Sequence, residues 1–414
     1  MSRTKGIHIL AKPVGPLCNL NCKYCFYTEK AAMYASKKNF RMSDDVMETY
    51  IHKYISAQPV PEVSFVWQGG EPTLLGLEFF QRVVELQQKY SSGKKIINSL
   101  QTNGTLLDDQ WGRFLKTNDF FVGLSLDGPE NIHNRYRLTC PGQPTFDKVM
   151  QGLALLQKYG IPVNVLSCVT KESAYKPLEI YQFFKEIGVG FIQFIPIVER
   201  RPDEVAKKLG LRLATPASLN LDEKTEVTAW SVEPEVYGDF LITIFDEWVK
   251  NDVGSIHVMN FEWALEAWLG LPATVCVFAE QCGESVILEH DGGIFSCDHY
   301  VYPEFYLGSI LTSDPYTMVD SEKQCQFSKN KGAVPRYCQT CEVEFACHGE
   351  CPKHRFAMTP DGKIGLNYLC AGYQKYFRHI HPYMKVMCQL IENNLPAAKI
   401  RDVIKGPLVV KRTK

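Results

Sequence analysis

The sequence predicts an α/β fold, namely a partial (β/α)6 barrel followed by a small cysteine-rich domain and a C-terminal helix. Three observations lead to this prediction. Short apolar runs alternate with amphipathic stretches through the first half of the chain, a pattern typical of parallel βαβ units. Ten of the fifteen cysteines lie beyond residue 270. The segment near Tyr373–Asn394 again has a helical pattern.

Six strands are predicted in the first half, two fewer than a complete (β/α)8 barrel contains. They are Ile7–Leu10, Val63–Trp67, Ile96–Leu100, Phe121–Ser125, Val163–Val169 and Phe191–Ile195. The helices between them are Asp44–Ala57, Leu77–Tyr90, Asp108–Lys116, Phe146–Tyr159 and Tyr175–Ile187. Ser43 is suited to cap the first helix, because its hydroxyl can accept a hydrogen bond from a backbone N–H of the first turn.

The chain then becomes irregular and charged over 200–231, before helical patterns resume near Glu235–Lys250 and Val258–Leu269. We therefore expect four parts. They are the barrel (1–232), a helical linker (233–271), the cysteine-rich domain (272–375) and a C-terminal helix with a basic tail (376–414). The tail carries Lys405, Lys411, Arg412 and Lys414, which we interpret as a solvated end of the chain.

The composition argues against several classes of protein. The net charge of −1 gives no dominant electrostatic surface for nucleic acid. No apolar run is long enough to span a bilayer, so we expect no membrane partner. The N-terminus lacks the apolar stretch and cleavage site of a signal peptide, which predicts a cytoplasmic protein. In that reducing compartment, fifteen cysteines indicate metal ligation rather than disulfides.

Cys18, Cys22 and Cys25 are spaced C-x3-C-x2-C, close behind the first predicted strand. Three thiolates can hold three corners of a cubane iron–sulfur cluster, whereas a closed electron-transfer cluster uses four. The remaining iron would be open for chemistry. Two alternatives use the same residue type: part of a zinc site, or a plant-type ferredoxin run, although the latter has x4 in its first gap.

Polar and glycine-rich segments follow several predicted strands. They are Gln68-Gly69-Gly70-Glu71-Pro72, Gln101-Thr102-Asn103-Gly104 and Leu126-Asp127-Gly128-Pro129. Barrel enzymes place their chemistry at these strand ends, so the segments predict an active site there. Structural turns also use Gly, Asn and Pro, so each segment alone is a weak indication.

The second half holds a group of eight cysteines around the core spacing C-x2-C-x5-C-x3-C. They are Cys276, Cys282, Cys297, Cys338, Cys341, Cys347, Cys351 and Cys370. Eight thiolates are enough for two closed four-cysteine sites, which by ligand type suit either zinc or iron–sulfur clusters. We interpret the remaining Cys140, Cys168, Cys325 and Cys388 as ordinary thiols.

The first motif, with Tyr24 before its last cysteine, resembles the signature of radical S-adenosylmethionine (SAM) enzymes. In that family the open iron chelates SAM, and an electron from the cluster cleaves SAM to a 5′-deoxyadenosyl radical. The second group resembles the SPASM domain, which implies two auxiliary four-iron clusters and thus three [4Fe-4S] clusters in all. By this resemblance, Cys276, Cys282, Cys297 and Cys351 hold one auxiliary cluster, and Cys338, Cys341, Cys347 and Cys370 hold the other.

With both cysteine groups, the chain is identified as resembling the anaerobic sulfatase-maturating enzymes, from about Ile9 to Phe377. The segments that carry the resemblance are Cys25-Phe26-Tyr27, Gln68 to Thr73, Asn98 to Thr105, Gly123 to Pro129, and Cys297-Asp298. The family oxidises a Cys or Ser in an unfolded sulfatase motif, C/S-x-P/A-x-R, to Cα-formylglycine. The implied partners are a sulfatase polypeptide and an electron donor such as flavodoxin or ferredoxin.

The resemblance also implies roles for single residues. The implied SAM contacts are Tyr24, Gly69, Ser125, Arg137 and Val198, with Arg137 matched to the SAM carboxylate. The alternatives are ordinary structural roles: packing for Tyr24, a turn hydroxyl for Ser125 and a surface ion pair for Arg137. Tyr27 and Gln101 are expected to line the substrate cleft.

Asp298 is implied to be the base that deprotonates the substrate, while a nearby auxiliary cluster takes the electron. The alternative for Asp298 is a capping carboxylate after the Asp291-Gly292-Gly293 turn.

Two other functions remain open. One is a SPASM-type enzyme that installs a thioether or carbon cross-link in a ribosomal peptide. Such enzymes often carry an N-terminal peptide-recognition domain, for which the roughly seventeen residues before Cys18 leave no room. The other is a non-catalytic zinc or electron-carrier protein, which iron and sulfide analysis would distinguish.

Overall fold

The computed structural model describes residues 6–34, 40–216, 225–283 and 285–404. The predicted basic tail, with Lys405, Lys411, Arg412 and Lys414, lies outside the described residues, as does part of the irregular stretch. None of the helices in these ranges is both long and apolar enough to cross a membrane.

The described residues form one sheet of ten strands and a second sheet of two. The large sheet contains β1 (His8–Lys12), β2 (Glu62–Trp67), β3 (Lys95–Thr102), β4 (Phe120–Ser125), β5 (Val163–Val169), β6 (Phe191–Pro196), β7 (His257–Val258), β8 (Ser285–Glu289), β9 (Gly293–Phe295) and β10 (Tyr306–Ser309). The small sheet contains β11 (Ala357–Met358) and β12 (Ile364–Leu366).

The six predicted barrel strands are confirmed as β1 to β6, and they lie side by side in chain order. Each pairs in parallel with the next, as repeated βαβ units require. Parallel pairing carries every strand end to the same edge, so the polar segments that follow these strands meet there.

The helices of the described residues largely follow the predicted pattern. They are α1 (Asp44–Ala57), α2 (Leu77–Tyr90), α3 (Asp109–Thr117), α4 (Glu130–Tyr136), α5 (Phe146–Lys158), α6 (Pro177–Glu186), α7 (Glu204–Lys208), α8 (Pro234–Asn251), α9 (Met259–Trp268), α10 (Pro315–Val319), α11 (Glu322–Gly332), α12 (Arg336–Gln339), α13 (Glu344–Cys347), α14 (Cys370–Glu392) and α15 (Ile400–Val403). Ser43 does cap α1, by accepting a hydrogen bond from the Val46 N–H. Helix α4 was not predicted, because it is short and follows a proline turn.

The sheet does not end at the barrel. Strand β8, from the cysteine-rich part, pairs in parallel with β1, and Lys12 stands opposite Glu289 in this register. Strands β9 and β10 then extend the sheet by antiparallel pairing. The predicted division at residue 272 therefore marks a change in cysteine content, while the hydrogen-bonded sheet continues across it.

Helix α14 docks the C-terminal end of the chain onto the barrel by lying close against α8. Glycines allow this approach: a Cβ at Gly372 would stand 2.0 Å from the Pro234 carbonyl oxygen, and one at Gly238 would stand 2.6 Å from the Gly372 carbonyl oxygen. Buried aromatic rings of both helices, including Tyr237 and Tyr373, fill the surrounding core. This contact holds the C-terminal cysteines in a fixed position relative to the barrel.

Candidate functional site

A cavity of about 220 Å³ opens at the edge where the parallel strands end. Its wall includes Cys18, Cys22 and Cys25, which we call the triad. The segments after β2 and β3, and Ser125 at the end of β4, form other parts of the wall, as the parallel topology predicts. Asp298, from beyond β9, reaches the same cavity.

The triad lies in the loop that follows β1. Burial is the main reason that the pKa values of Cys18 and Cys22 rise to about 12. Polar groups nevertheless support a thiolate at Cys18, because the Leu20 N–H lies 3.3 Å from its sulfur and the Asn103 amide nitrogen lies 3.9 Å away. Buried thiols of this kind ionise when a metal replaces their protons.

The glycine pair after β2 holds the triad loop in place. A Cβ on Gly70 would lie 1.9 Å from the Leu17 carbonyl oxygen, immediately before Cys18. Gly69 has a φ of +142° and also lines the cavity, so its backbone faces the space beside the triad. Only glycine permits this approach between the two loops.

Glu71 belongs to the cavity wall, and its carboxylate holds the loop after β3. Its carboxylate accepts hydrogen bonds from the Thr73 backbone and hydroxyl, the Thr102 hydroxyl and the Asn103 N–H, at 2.6–3.1 Å. Both carboxylate oxygens are thus already engaged by donors of the protein.

Tyr24 and Arg137 meet on Asp127. The Tyr24 hydroxyl donates to one carboxylate oxygen at 2.5 Å, and the Arg137 Nε lies 3.0 Å from the other. The guanidinium also lies over the Tyr24 ring, 5.5 Å from its centroid. Arg137 is thus a buried, preoriented cation on the cavity wall rather than half of a surface ion pair.

Of the two remaining predicted SAM contacts, Ser125 lines the cavity and Val198 does not. Ser125 lines the cavity and accepts a hydrogen bond from Gln101 at 3.3 Å. Val198 is buried in the core instead, and the nearby side chains that line the cavity are Ile195 and Ile197. Cys168, which we treated as an ordinary thiol, also lines the cavity and lies 3.5 Å from an Arg137 nitrogen.

Asp298 forms an ion pair with Lys12 in the cavity wall. Its Oδ1 lies 2.6 Å from the Nζ of Lys12, whose side chain is 1% exposed. Burial alone would raise the pKa of Asp298, but Lys12, His299 and Lys30 together lower it below its usual value. The carboxylate is therefore ionised at neutral pH and is able to accept a proton.

Tyr27 connects this ion pair to the buried carboxylate of Glu289. The Lys12 Nζ lies 3.7 Å from the centroid of the Tyr27 ring, and the Tyr27 hydroxyl donates to Glu289 at 2.6 Å. Tyr34 donates to the other Glu289 oxygen at 3.0 Å. The charges of Lys12 and Lys30 are thus balanced by Asp298 and Glu289 within one cluster.

Cys276, Cys282, Cys297 and Cys351 lie close together, and we call them the first quartet. Burial is the main cause that raises the pKa of Cys297 to about 12, and Asp298, Cys276 and Cys282 raise it further. Burial likewise raises the pKa of Cys351, with contributions from Cys297 and Cys276. Such mutual effects arise only between neighbouring thiols.

Cys338, Cys341, Cys347 and Cys370 form the second quartet and line one enclosed pocket. After burial, the charges of Cys338 and Cys341 raise the pKa of Cys370 to about 12. The charges of Cys338 and Cys370 likewise raise the pKa of Cys347. The eight thiols thus fall into two groups of neighbours, and the binding of one cluster by each group stays a prediction.

Three comparisons with known proteins can be set beside this geometry. A model of the radical SAM superfamily matches residues 13–184. A serine-type anaerobic sulfatase-maturating enzyme from Bacteroides thetaiotaomicron is 44% identical over 402 residues, which cover 97% of this chain and 96% of the relative. The chain belongs to the anaerobic sulfatase-maturating enzyme family.

Two further relatives agree with this family. A cysteine-type anaerobic sulfatase-maturating enzyme from Clostridium perfringens is 34% identical over 379 residues, covering 91% of this chain and 96% of the relative. A solved structure of native anSMEcpe with bound AdoMet and Cp18Cys peptide matches with a TM-score of 0.80 and 33% identity. That match covers 94% of this chain and 100% of the solved chain.

An anaerobic sulfatase-maturating enzyme is a radical SAM enzyme, so the family implies a [4Fe-4S] cluster and SAM. The donor set fits them. Three thiols converge on a cavity that also holds a buried guanidinium and glycine backbone. Among the described residues, no three Cys, His, Asp or Glu side chains lie together as a single metal ion requires.

Several site residues of this family member could not be identified from the sequence. Lys12 ends an apolar strand, and that position was its only signal. Asp127 lay within a quoted segment but received no role. No sequence pattern indicated Glu289 or Lys30 as site residues, because their hydrogen-bond partners lie far away along the chain.

Proposed function

We propose that this chain oxidises a Cys or Ser in an unfolded sulfatase motif, C/S-x-P/A-x-R, to Cα-formylglycine. The observation that carries the proposal is the position of Asp298. It lies in the cavity of the open triad, it is ionised beside Lys12, and it directly follows Cys297 of the first quartet. A radical source, a base and an electron acceptor would thus surround one substrate carbon.

The triad would bind a [4Fe-4S] cluster through Cys18, Cys22 and Cys25. When bound, the cluster and SAM supply a 5′-deoxyadenosyl radical, which removes hydrogen from the substrate Cβ. The first and second quartets would each hold an auxiliary [4Fe-4S] cluster, giving three clusters in all. Their surroundings support this assignment: buried Lys331 and Arg355 lie among the quartet thiols and offset the charge of anionic clusters.

SAM would be held by Tyr24, Gly69, Ser125 and Arg137. The Arg137 guanidinium suits the SAM carboxylate, since Asp127 already fixes its orientation and leaves other N–H donors for a ligand. The Gly69 backbone suits the SAM ammonium group. Val198 would contribute only through its backbone, and the side chains of Ile195 and Ile197 would pack against the adenine.

Asp298 would hold the proton that leaves the substrate. Its Oδ1 is bound by Lys12, so its second carboxylate oxygen would face the thiol or hydroxyl. Lys12 also contacts the Tyr27 ring, and this contact keeps both residues in position at the cavity. A general base of this kind contributes about 10²–10⁴-fold to rate.

The partners follow from this chemistry. The substrate would be an unfolded sulfatase polypeptide, because a folded domain could not bring its motif into a cavity of about 220 Å³. An external electron donor such as flavodoxin or ferredoxin would reduce the triad cluster. The relative with 44% identity is serine-type, so the serine peptide is the first substrate to test.

The test uses protein reconstituted without oxygen, with SAM, dithionite and paired peptides that contain Ser or Cys in the motif. We expect 5′-deoxyadenosine and a peptide aldehyde that reacts with a hydrazide reagent. Mass alone does not suffice, because a cross-link and the oxidation of Ser both remove two hydrogens. A product without hydrazide reactivity would contradict the proposal and favour a cross-linking enzyme.

A further inference from the structure

His299 lies between the catalytic cavity and the first quartet. Its ring packs edge-on against Phe26, with 4.7 Å between the ring centroids, and Phe26 directly follows Cys25 of the triad. On its other side, the His299 Nδ1 lies 3.8 Å from the Cys351 sulfur. One side chain thus contacts both the cavity wall and an auxiliary ligand.

The direction of the sulfur contact follows from the chemistry of the ligand. A cysteine that binds iron is a thiolate, which can only accept hydrogen bonds. The Nδ1 of His299 must therefore carry the proton and donate it toward the Cys351 sulfur. The backbone N–H of His299 also hydrogen bonds to Cys297, so one residue serves two of the four thiols.

The imidazole is held firmly in this position. Lys30 donates to the His299 carbonyl oxygen at 3.4 Å, which fixes the backbone. Phe26 blocks one side of the ring, and Lys353 lies over Phe26 with its Nζ 4.7 Å from the centroid. Because the side chain is already fixed, little conformational entropy is lost when it donates this hydrogen bond.

We propose that His299 raises the reduction potential of the cluster held by the first quartet, through its Nδ1–H hydrogen bond to Cys351. Hydrogen bonds to cluster sulfurs stabilise the more negative, reduced state. The inference rests on the proposed function. There the substrate radical loses one proton and one electron: the proton passes to Asp298, and the electron passes to the oxidised cluster.

The test is the substitution His299→Phe in the fully reconstituted protein, followed by redox titration with EPR detection. The phenylalanine keeps the ring packing and removes the donor. At the wild-type midpoint potential, we expect the ratio of oxidised to reduced cluster to rise about tenfold. For a one-electron couple, this corresponds to a midpoint potential that is about 59 mV lower. Repeating the measurement in a Cys347→Ala background removes the signal of the second quartet.

His52→Phe is the matched control. His52 is an exposed histidine of α1 that also packs on an aromatic ring, 4.6 Å from Tyr90, but no cluster ligand is near it. This variant should keep the wild-type potential. His299→Gln retains an N–H donor and should recover part of the shift.

A second measurement needs no substitution at His299. Protein labelled with ¹⁵N in the histidine rings only is reduced and studied by pulsed EPR, where we expect a weak coupling of one ¹⁵N to the first auxiliary cluster. Absence of this coupling, or an unchanged potential in His299→Phe with full iron content, would overturn the proposal. Failure of the proposed function looks different, because the peptide product of the wild-type protein would then lack hydrazide reactivity, whatever the potential of this cluster.

Discussion

The triad and the quartets use the same ligand, the cysteine thiol, in opposite surroundings. The triad faces a cavity of about 220 Å³, and it has one thiol fewer than a closed cluster needs. The quartets each have four thiols, and buried cations lie among them. Under the proposed function, the missing fourth ligand and the adjoining space, rather than the cysteines themselves, would separate a site for chemistry from a site for electron storage.

The two kinds of site meet at Cys297, Asp298 and His299. The first of these residues belongs to a quartet, the second lines the triad cavity, and the third contacts Phe26 of the cavity wall and Cys351 of the quartet. Under the proposed function, these three consecutive residues would place the base and the electron acceptor on the same side of the substrate. The following substitutions test this contrast, from the largest expected effect to the smallest.

Removing one ligand of the triad should have the largest effect. We expect Cys22→Ala to abolish formation of 5′-deoxyadenosine, because two thiols cannot hold the open cluster in place. Chromatography of the reaction mixture measures the nucleoside. Cys325→Ala, at an exposed cysteine of α11 outside both quartets, is the control and should keep normal SAM cleavage. Normal cleavage by Cys22→Ala would remove the basis of the contrast.

Removing the carboxylate of Asp298 should separate SAM cleavage from oxidation of the peptide. We expect Asp298→Asn to lower formylglycine formation by about 10²–10⁴-fold, while 5′-deoxyadenosine still forms. Hydrazide labelling measures the first product and chromatography the second. Asp291→Asn, in the exposed turn before β9, should leave both rates unchanged. A native rate of aldehyde formation in Asp298→Asn would show that another group accepts the proton.

Removing a ligand from the second quartet should spare the triad. We expect Cys347→Ala to hold about eight irons instead of about twelve, the totals for two and three four-iron clusters. SAM cleavage should persist, and peptide oxidation should fall several-fold because electrons no longer leave the first quartet efficiently. Iron analysis and product assays measure these effects. An unchanged iron content would mean that the second quartet binds no cluster.

The smallest effect concerns a cation beside the first quartet. Lys331 is fully buried and donates to the carbonyl oxygens of Cys276 and Val277. We expect Lys331→Met to lower the free energy of unfolding by about 1–3 kcal/mol, because two buried carbonyls lose their donor. Anaerobic denaturation measures it. Lys329 is exposed on the same helix, and Lys329→Met should change the free energy of unfolding by less than about 0.5 kcal/mol. An equal loss of stability in both variants would show that the buried hydrogen bonds of Lys331 do not contribute.

Much of the fold was predictable because its signals are local. Helices α1 and α2 have the bounds that their periodicity predicted, and all six barrel strands were found. The extension of the sheet by β8 to β10 was not predicted, since short strands in a turn-rich region carry no clear alternation. The hydrogen bonds of Glu71 could not be predicted for a related reason: its partners Thr102 and Asn103 lie on the neighbouring strand and the loop that follows it.

The sequence by itself determined the type and number of the ligands. The spacing of the triad places three thiols in one loop, and a local spacing needs no tertiary information. Only the tertiary structure decided which distant groups face each other. Lys12 meets Asp298 because β8 pairs with β1 in parallel, and Cys370, the first residue of α14, is held in place because that helix docks on α8. Such pairs depend on strand register and helix packing, whose free energy is distributed over the whole core and leaves no mark at either residue.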